Sequence, residues 1–517
     1  MRLAVRRSVL ALSFLASTAA AAHAQSLADR VQKVMARPEF AHAIWGVEFY
    51  DLDAGTATLR VMGDKLFMAA STTKLLTVGT ALHYLGPDYR FHTKVYRTGP
   101  IGADGTLDGD LVLVASGDAN LSGRILPNGT LDFRDDDHAY GGDMVPGDPL
   151  AVIKELAAQI AAKGVKRVHG RVLVDASLFP TGDREGGSNV VISPIVVNDN
   201  VIDIMVTPGA TVGAPATAVV HPYSSYLHLT LKVTTDAKGS APRDSIESDV
   251  MNPDGSRSVT IAGSRAVDAH PTLIPYPVAD PIRFAEVVLA EALHERGILA
   301  EPPPQGESVD YAAMTANYTD ANAVAEHVSP PFKEDARITL KVSQNLHASM
   351  LPYVLSALIA KKPAPQAGFD LEREWLTQAG LDLGGAAQGD GAGAHGHFSP
   401  DFMVRYLAYV AKQPFYQALL DGLPILGKDG TLYDVQVKSA AAGHVHAKTG
   451  TFDENDLLNK GDLVTAKGLA GYFTRADGRK FAFAIYVNRV ELKEGQGITA
   501  IVGQALGEIA GAGYVSH

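Results

Sequence analysis

Apolar positions along this chain recur first at helical spacing, then in alternation, then at helical spacing again. Leu27 to Arg37 predicts a short amphipathic helix. Ile44-Trp45-Gly46-Val47-Glu48-Phe49-Tyr50 and Thr56-Ala57-Thr58-Leu59-Arg60-Val61 predict two strands about turn residues Asp51 to Gly55. Leu75, Leu76, Ala81, Leu82 and Leu85 then fall at roughly helical spacing, until Gly86-Pro87 stops the helix. Two strands followed by a helix make an α/β opening.

From about Phe91 to Asp280 short strand-like runs alternate with Gly, Asp, Asn and Pro turns. They include Lys94-Val95-Tyr96, Leu111 to Val114, Arg171 to Val174, Leu227 to Leu231 and Ser258 to Ile261. One helix, Pro149 to Lys163, interrupts them. Asp132 to His138 and Glu247 to Gly255 are polar and read as solvated loops. The region is expected to be mostly β, as one or two inserted domains. Asp280-Pro281 caps a helix running to Arg296. Helices are expected at Ala348 to Ala360, Asp370 to Ala379 and Pro400 to Lys412, with a closing helix from Ile498 to Ala510. Between them come a strand, His444 to Lys448, and a hairpin of Gly468 to Phe473 with Phe481 to Val487 about Ala476-Asp477-Gly478.

The length of 517 residues allows several domains and a large core. A net charge of −12 argues against a nucleic-acid partner. No cysteine is present, so disulfides, thiol nucleophiles and Cys-zinc sites are excluded. Residues 1–24 read as a secretory signal: a basic start at Arg2, Arg6 and Arg7, an apolar stretch from Val9 to Ala22 too short for a comfortable span, and the small-x-small site Ala22-His23-Ala24. The mature, exported chain is expected to begin near Gln25. No later stretch is long and apolar enough to cross a bilayer.

The candidate chemistry centres on Ser71-Thr72-Thr73-Lys74, at the start of the predicted helix. Residues three apart share a helix face, so the Ser71 hydroxyl and the Lys74 amine converge. A serine nucleophile needs such a base, and a lysine serves only if burial or nearby positive charge keeps it neutral. Alone, S-x-x-K is expected about once by chance. Two further motifs change its weight: Ser343-Gln344-Asn345 before a helix, and Lys448-Thr449-Gly450-Thr451 at a strand end. In acyl transfer, Ser71 would attack and Lys74 would take its proton. Ser343 could pass a proton to the leaving nitrogen, and Asn345 could bind the substrate amide and hold Lys74. Lys448 would add positive potential, helping to keep Lys74 neutral and attracting an anion. The Thr449 and Thr451 hydroxyls could bind a carboxylate, and Gly450 would let the strand approach. The backbone N–H groups of Ser71 and Thr451 would form the oxyanion hole.

With Ser343-Gln344-Asn345 as a relative of S-D-N, this set resembles the S-x-x-K, S-D-N and K-T-G motifs of serine β-lactamases and penicillin-binding proteins. With the long interval between Lys74 and Ser343, it resembles the class C low-molecular-mass penicillin-binding proteins, the D-alanyl-D-alanine carboxypeptidase/endopeptidase family. Ser116-Gly117-Asp118-Ala119-Asn120-Leu121-Ser122, Gly170 to Ser177 and Gly427-Lys428-Asp429-Gly430-Thr431-Leu432 also resemble segments of that family. The resemblance implies an α/β (α+β) serine transpeptidase/β-lactamase-like domain formed by 25–92 and 281–517. The inserted β-rich region would be 93–280, with a nested domain at about 171–265. It implies a periplasmic enzyme acting on peptidoglycan stem peptides ending in D-Ala-D-Ala, acylated and inhibited by β-lactams, with no cofactor. Two departures bear on substrate preference: Ala392 stands where the family shows a loop serine, and the segment from Thr451 to Gly468 is long. The residues leave open a non-catalytic peptidoglycan- or penicillin-binding protein, or a β-lactamase or esterase using the same serine. The pairs His395/His397 and His444/His446 read as surface or supporting histidines, and no metal is expected.

Overall fold

The computed structural model describes residues 26–516. The leader read at 1–24 lies outside them. Both ends of the described chain build one antiparallel sheet, ordered Val445–Asp456, Gly461–Thr474, Lys480–Asn488, Ile44–Asp51, Thr56–Val61, with Val490–Lys493 added beside Gly461–Thr474. Strand Lys480–Asn488 is buried along almost its whole length, and its composition explains how. Phe481, Phe483, Ile485 and Val487 enter one core with Val31, Val34, Leu506 and Ile509, from helices Leu27–Met35 and Gln504–Val515. Ala482, Ala484 and Tyr486 enter the other, with Val78, Leu82, Met403 and Leu407, from helices Lys74–Tyr84 and Pro400–Val410. Successive residues face opposite sides of a strand, so one run serves two helical layers. Each large side chain so buried contributes ~1.5–3 kcal/mol, and the two alanines leave room for helix Pro400–Val410, which packs on this strand.

A second core lies under a mixed sheet, ordered Leu299–Glu301, Arg167–Asp175, Leu111–Val114, His92–Arg97, Ala323–Val328. Helices Ala151–Ala162 and Pro281–Glu295 pack on it through Ile153, Leu156, Phe284 and Val288. This unit therefore draws on chain beyond residue 280, because the apolar face of the helix capped by Asp280 is buried here rather than against the first sheet. Two three-stranded sheets are nested in it. One orders Thr272–Pro277, Val201–Thr207, Thr217–His221, and the other Leu227–Asp236, Arg257–Ala266, Ser245–Met251. Arg167–Asp175 belongs to the mixed sheet, so the nested strands span 201–277 rather than 171–265. Ser245–Met251 corrects the loop expected at Glu247 to Gly255. It is an edge strand with every residue exposed, and with neither face buried it shows no apolar alternation.

The segment Asp132 to His138 is also not simply solvated. Asp137 and His138 are buried in an ionic cluster. Arg124 donates to Asp137 (2.7 Å) and Asp199 (2.5 Å), and His138 bridges Asp199 (2.8 Å) and Asp203 (2.9 Å). His347 lies 3.0 Å from Asp199 and 2.8 Å from Asp335. Burial opposes charge on both imidazoles. For His138 the bonds to Asp199 and Asp203, and for His347 the nearby carboxylates Asp335 and Asp199, outweigh it and raise each pKa to about 10. Asp199 sits in a left-handed turn, with Asn198, Asp199 and Asn200 all at positive φ (51°, 55°, 52°). Asn and Asp are the side-chain-bearing residues that adopt this conformation most readily. Asp199→Asn therefore keeps the turn and removes only the charge. It should cost ~3–5 kcal/mol, because Arg124, His138 and His347 lose their shared carboxylate. Urea titration of the variant would read this; a midpoint equal to wild type would show that the cluster does not support the fold.

Candidate active site

Ser71 lies in a single 3-10 turn, Ala70–Thr73, which runs directly into helix Lys74–Tyr84. Ala70, just before it, is held at φ +46°, a costly conformation for a residue with a Cβ. Thr72 and Thr73 fix the turn by donating to the Ala69 and Ala70 carbonyls, each at 2.8 Å. Strand Val445–Asp456 crosses in front. A Cβ at Gly450 would lie 2.4 Å from the Ala69 carbonyl oxygen and 3.1 Å from the Ser71 nitrogen. Only glycine permits that approach, which lays the strand backbone over the Ser71 amide.

Lys74 is fully buried. Its Nζ is 2.8 Å from Ser71 Oγ, 2.5 Å from Asn345 Oδ1, 3.1 Å from the Ala392 carbonyl oxygen and 3.3 Å from Ser343 Oγ. Asn345 Oδ1 and the Ala392 carbonyl can only accept. A neutral amine has two N–H groups and one lone pair. With both N–H groups on those acceptors, the lone pair is left for the Ser71 hydroxyl proton. Burial lowers the Lys74 pKa to about 7, against the opposing pull of Glu185 and Asp390. Ala392 serves through its carbonyl, so the missing loop hydroxyl does not touch this contact.

Ser343 joins helices Phe332–Lys341 and Asn345–Leu355 at φ +62°. Its Oγ accepts from Lys448 Nζ (2.9 Å), which also donates to the Thr449 carbonyl (2.8 Å). Burial, then the neighbouring Lys74 and Lys467, push the Lys448 pKa well down. The expectation that Lys448 holds Lys74 neutral is thereby revised, since desolvation is the leading cause at Lys74. The structure thus brings Ser71, Lys74, Ser343, Asn345, Lys448, Thr449, Gly450 and Thr451 to one place. Ser71, Ser343, Asn345, Thr449 and Thr451 line a cavity of about 430 Å³.

Several groups here lie outside the three catalytic motifs. The Tyr140 hydroxyl donates to the Ser343 carbonyl (3.0 Å) and accepts from the Asn345 amide (2.7 Å), fixing the Ser343 turn from the inserted region. Gly187 abuts the Asn345 side chain: a Cβ there would lie 2.4 Å from Nδ2. Thr431 shares a hydrogen bond with Thr449 (2.7 Å). Lys467 donates to Thr451 Oγ1 (2.6 Å), and its only hint in the sequence is a lysine inside an apolar strand. The long segment after Thr451 is the continuation of this strand pair, from Phe452↔Ala466 to Asp456↔Gly461. It ends in an exposed turn bearing Leu457 and Leu458. His395 and His397 are exposed, and His444 stacks on Tyr514.

The sequence profile of the D-Ala-D-Ala carboxypeptidase 3 (S13) family matches residues 27–506. The chain belongs to this family. It is a serine-type carboxypeptidase of the penicillin-binding class. As an S13 member it is 27% identical over 492 residues to a D-alanyl-D-alanine carboxypeptidase of Actinomadura sp. (strain R39), covering 91% of this chain and 82% of that one. It is 24% identical over 451 residues to D-alanyl-D-alanine carboxypeptidase DacB of Haemophilus influenzae, covering 82% and 81%. The crystal structure of penicillin binding protein 4 (dacB) from H. influenzae superposes with a TM-score of 0.71 at 21% identity, over 94% of this chain and 99% of that one. The S13 fold is thus shared, as the motif set leads one to expect.

The proton balance at Lys74 gives a pH dependence with a definite sign. The amine is the competent base, so the reactivity of Ser71 toward an acylating agent should rise with pH and level off above about 7. Below that midpoint it should fall about tenfold per pH unit. Stopped-flow acylation rates would trace the curve. A midpoint near the ordinary lysine value would mean that burial does not tune this group.

Proposed function

We propose that this enzyme removes the terminal D-Ala from peptidoglycan stem peptides ending in D-Ala-D-Ala, through an acyl-enzyme on Ser71. The observation that supports it most directly is the buried Lys74 amine 2.8 Å from Ser71 Oγ, with its N–H groups engaged elsewhere. In this reading Lys74 takes the Ser71 proton as Oγ bonds to the carbonyl carbon of the penultimate D-Ala. The Ser71 and Thr451 amides hold the developing oxyanion, each donor being worth ~3 kcal/mol of barrier. The C–N bond then breaks. The proton reaches the leaving nitrogen through Ser343, whose Oγ lies within reach of both Lys74 and Lys448. Water attacks the ester carbonyl, gives up its proton to the same base, and frees the shortened peptide and Ser71.

Asn345 would orient the substrate amide, and the Thr449 and Thr451 hydroxyls its carboxylate. Cleavage of D-Ala to diaminopimelate cross-links follows from the same steps, because that bond also joins a D-Ala carbonyl to an amine beside a free carboxylate. β-Lactams would enter as amide mimics whose acyl-enzyme persists. Work at the cell wall after export, and a catalytic domain with a large insertion, belong to the same proposal. The residue 1–24 leader pattern and the sheet closed by both chain ends favour them.

Intact mass after exposure to benzylpenicillin tests the nucleophile. Wild type should gain one penicilloyl adduct and Ser71→Ala none, and wild type should release D-Ala from a D-Ala-D-Ala peptide. Unmodified wild type with intact penicillin would refute the mechanism. Rapid penicillin loss without an adduct would instead make it a β-lactamase.

A further inference from the structure

Lys467 stands directly opposite Thr451 in the strand pair and lines the same cavity as Ser71 and Ser343. It is buried, 7% exposed, and among the described residues no carboxylate lies in contact with its ammonium group. Its one side-chain hydrogen bond runs to Thr451 Oγ1 at 2.6 Å. An ammonium carries three donors, so two remain for a ligand. Burying a cation with no carboxylate in contact is costly, and the more distant Asp434 and Asp453 offset only part of that cost.

The bond also fixes the use of Thr451. Its oxygen accepts from Lys467, so its own hydrogen is free to be donated to a second acceptor. Lys448 is differently placed, since Ser343 Oγ and the Thr449 carbonyl already take its donors. Asp434 and Asp453 favour the charge on Lys467, and the neighbouring Lys448 is itself pushed toward neutrality by burial, Lys74 and Lys467. Burial lowers the Lys467 pKa only to about 8, which leaves it largely protonated at neutral pH.

We propose that Lys467, together with the Thr451 hydroxyl, binds the carboxylate on the carbon that bears the leaving nitrogen, and so makes a free carboxylate there a determinant of substrate choice. This rests on the acyl-enzyme reading above. It adds a residue outside the three motifs and assigns to it, rather than to Lys448, the positive charge that meets the substrate.

The test compares acylation by benzylpenicillin with acylation by its methyl ester, which lacks the carboxylate charge. In wild type the free acid should react faster. In Lys467→Met the acid-to-ester rate ratio should fall by about 10–100-fold, the range of a hydrogen bond to a charged group. Lys467→Arg should retain most of it. The ratio in wild type should also decline as pH rises through about 8. Titration of Lys74 changes both rates alike and cancels from the ratio. An unchanged ratio in Lys467→Met, with both rates lowered together, would overturn the assignment and leave Lys467 a structural residue. Should that variant fail to fold, a flat wild-type ratio across the same pH range would overturn it equally. Wild type that neither reagent acylates would refute the acyl-enzyme reading itself, and this inference with it.

Discussion

Lys74 lies wholly out of water, where an ammonium group is expensive unless acceptors replace its lost hydration. Helix Lys74–Tyr84 offers it none, since the helix is apolar around most of its circumference. Every group that meets the amine therefore comes from elsewhere: Asn345 from the start of one helix, Ala392 from a loop, Ser71 from the turn before. Asp390 fixes that loop, accepting from the Ala392 amide (2.8 Å) and the His395 amide (2.6 Å). The site is a set of acceptors assembled about one poised base, and the surrounding elements serve to keep their distances.

The inserted region takes part in that assembly. Arg124, Asp137, His138 and Asp199 come from it, while Asp335 and His347 belong to the helices flanking Ser343 and Gln344 to the turn between them. Gln344 donates to Asp137 at 3.1 Å, so the middle residue of the Ser343-Gln344-Asn345 turn is tied into the buried charges. Tyr140 grips the same turn from the other side. A turn at positive φ would relax if left alone. Here it is held on two sides, and Ser343 and Asn345 stay within reach of Lys74.

Much of this was legible in the residues. Apolar runs about Ala476-Asp477-Gly478 marked the hairpin that contains Phe481 to Val487, and the three motifs named the reacting groups, although Lys448 to Thr451 lie inside strand Val445–Asp456 rather than at a strand end. The strand Ser245–Met251 was not, because solvation on both faces removes the apolar signal. Asp137 and His138 looked solvated because charge in a sequence says nothing of its partners. Arg124 and Asp199 are distant along the chain and adjacent only after folding. Tyr140 and Lys467 escaped for the same reason: each acts through a partner brought close by topology. The length of the segment after Thr451 was evident, but its continuation as a paired ladder depends on Gly461–Thr474 lying alongside.

The first sheet has one more consequence, for the timing of activity. Val47 pairs with Val61, its near neighbour, but also with Ile485 close to the end of the chain. Ser71 and Lys74 are made well before the strands that complete their surroundings, Val445–Asp456 and Lys480–Asn488. Contacts so far apart in sequence form slowly, because a long loop must close before they are rewarded. The nascent chain therefore carries Ser71 and Lys74 before the strands that complete their surroundings exist, and the nucleophile gains its setting only once Val445–Asp456 and Lys480–Asn488 have joined the sheet.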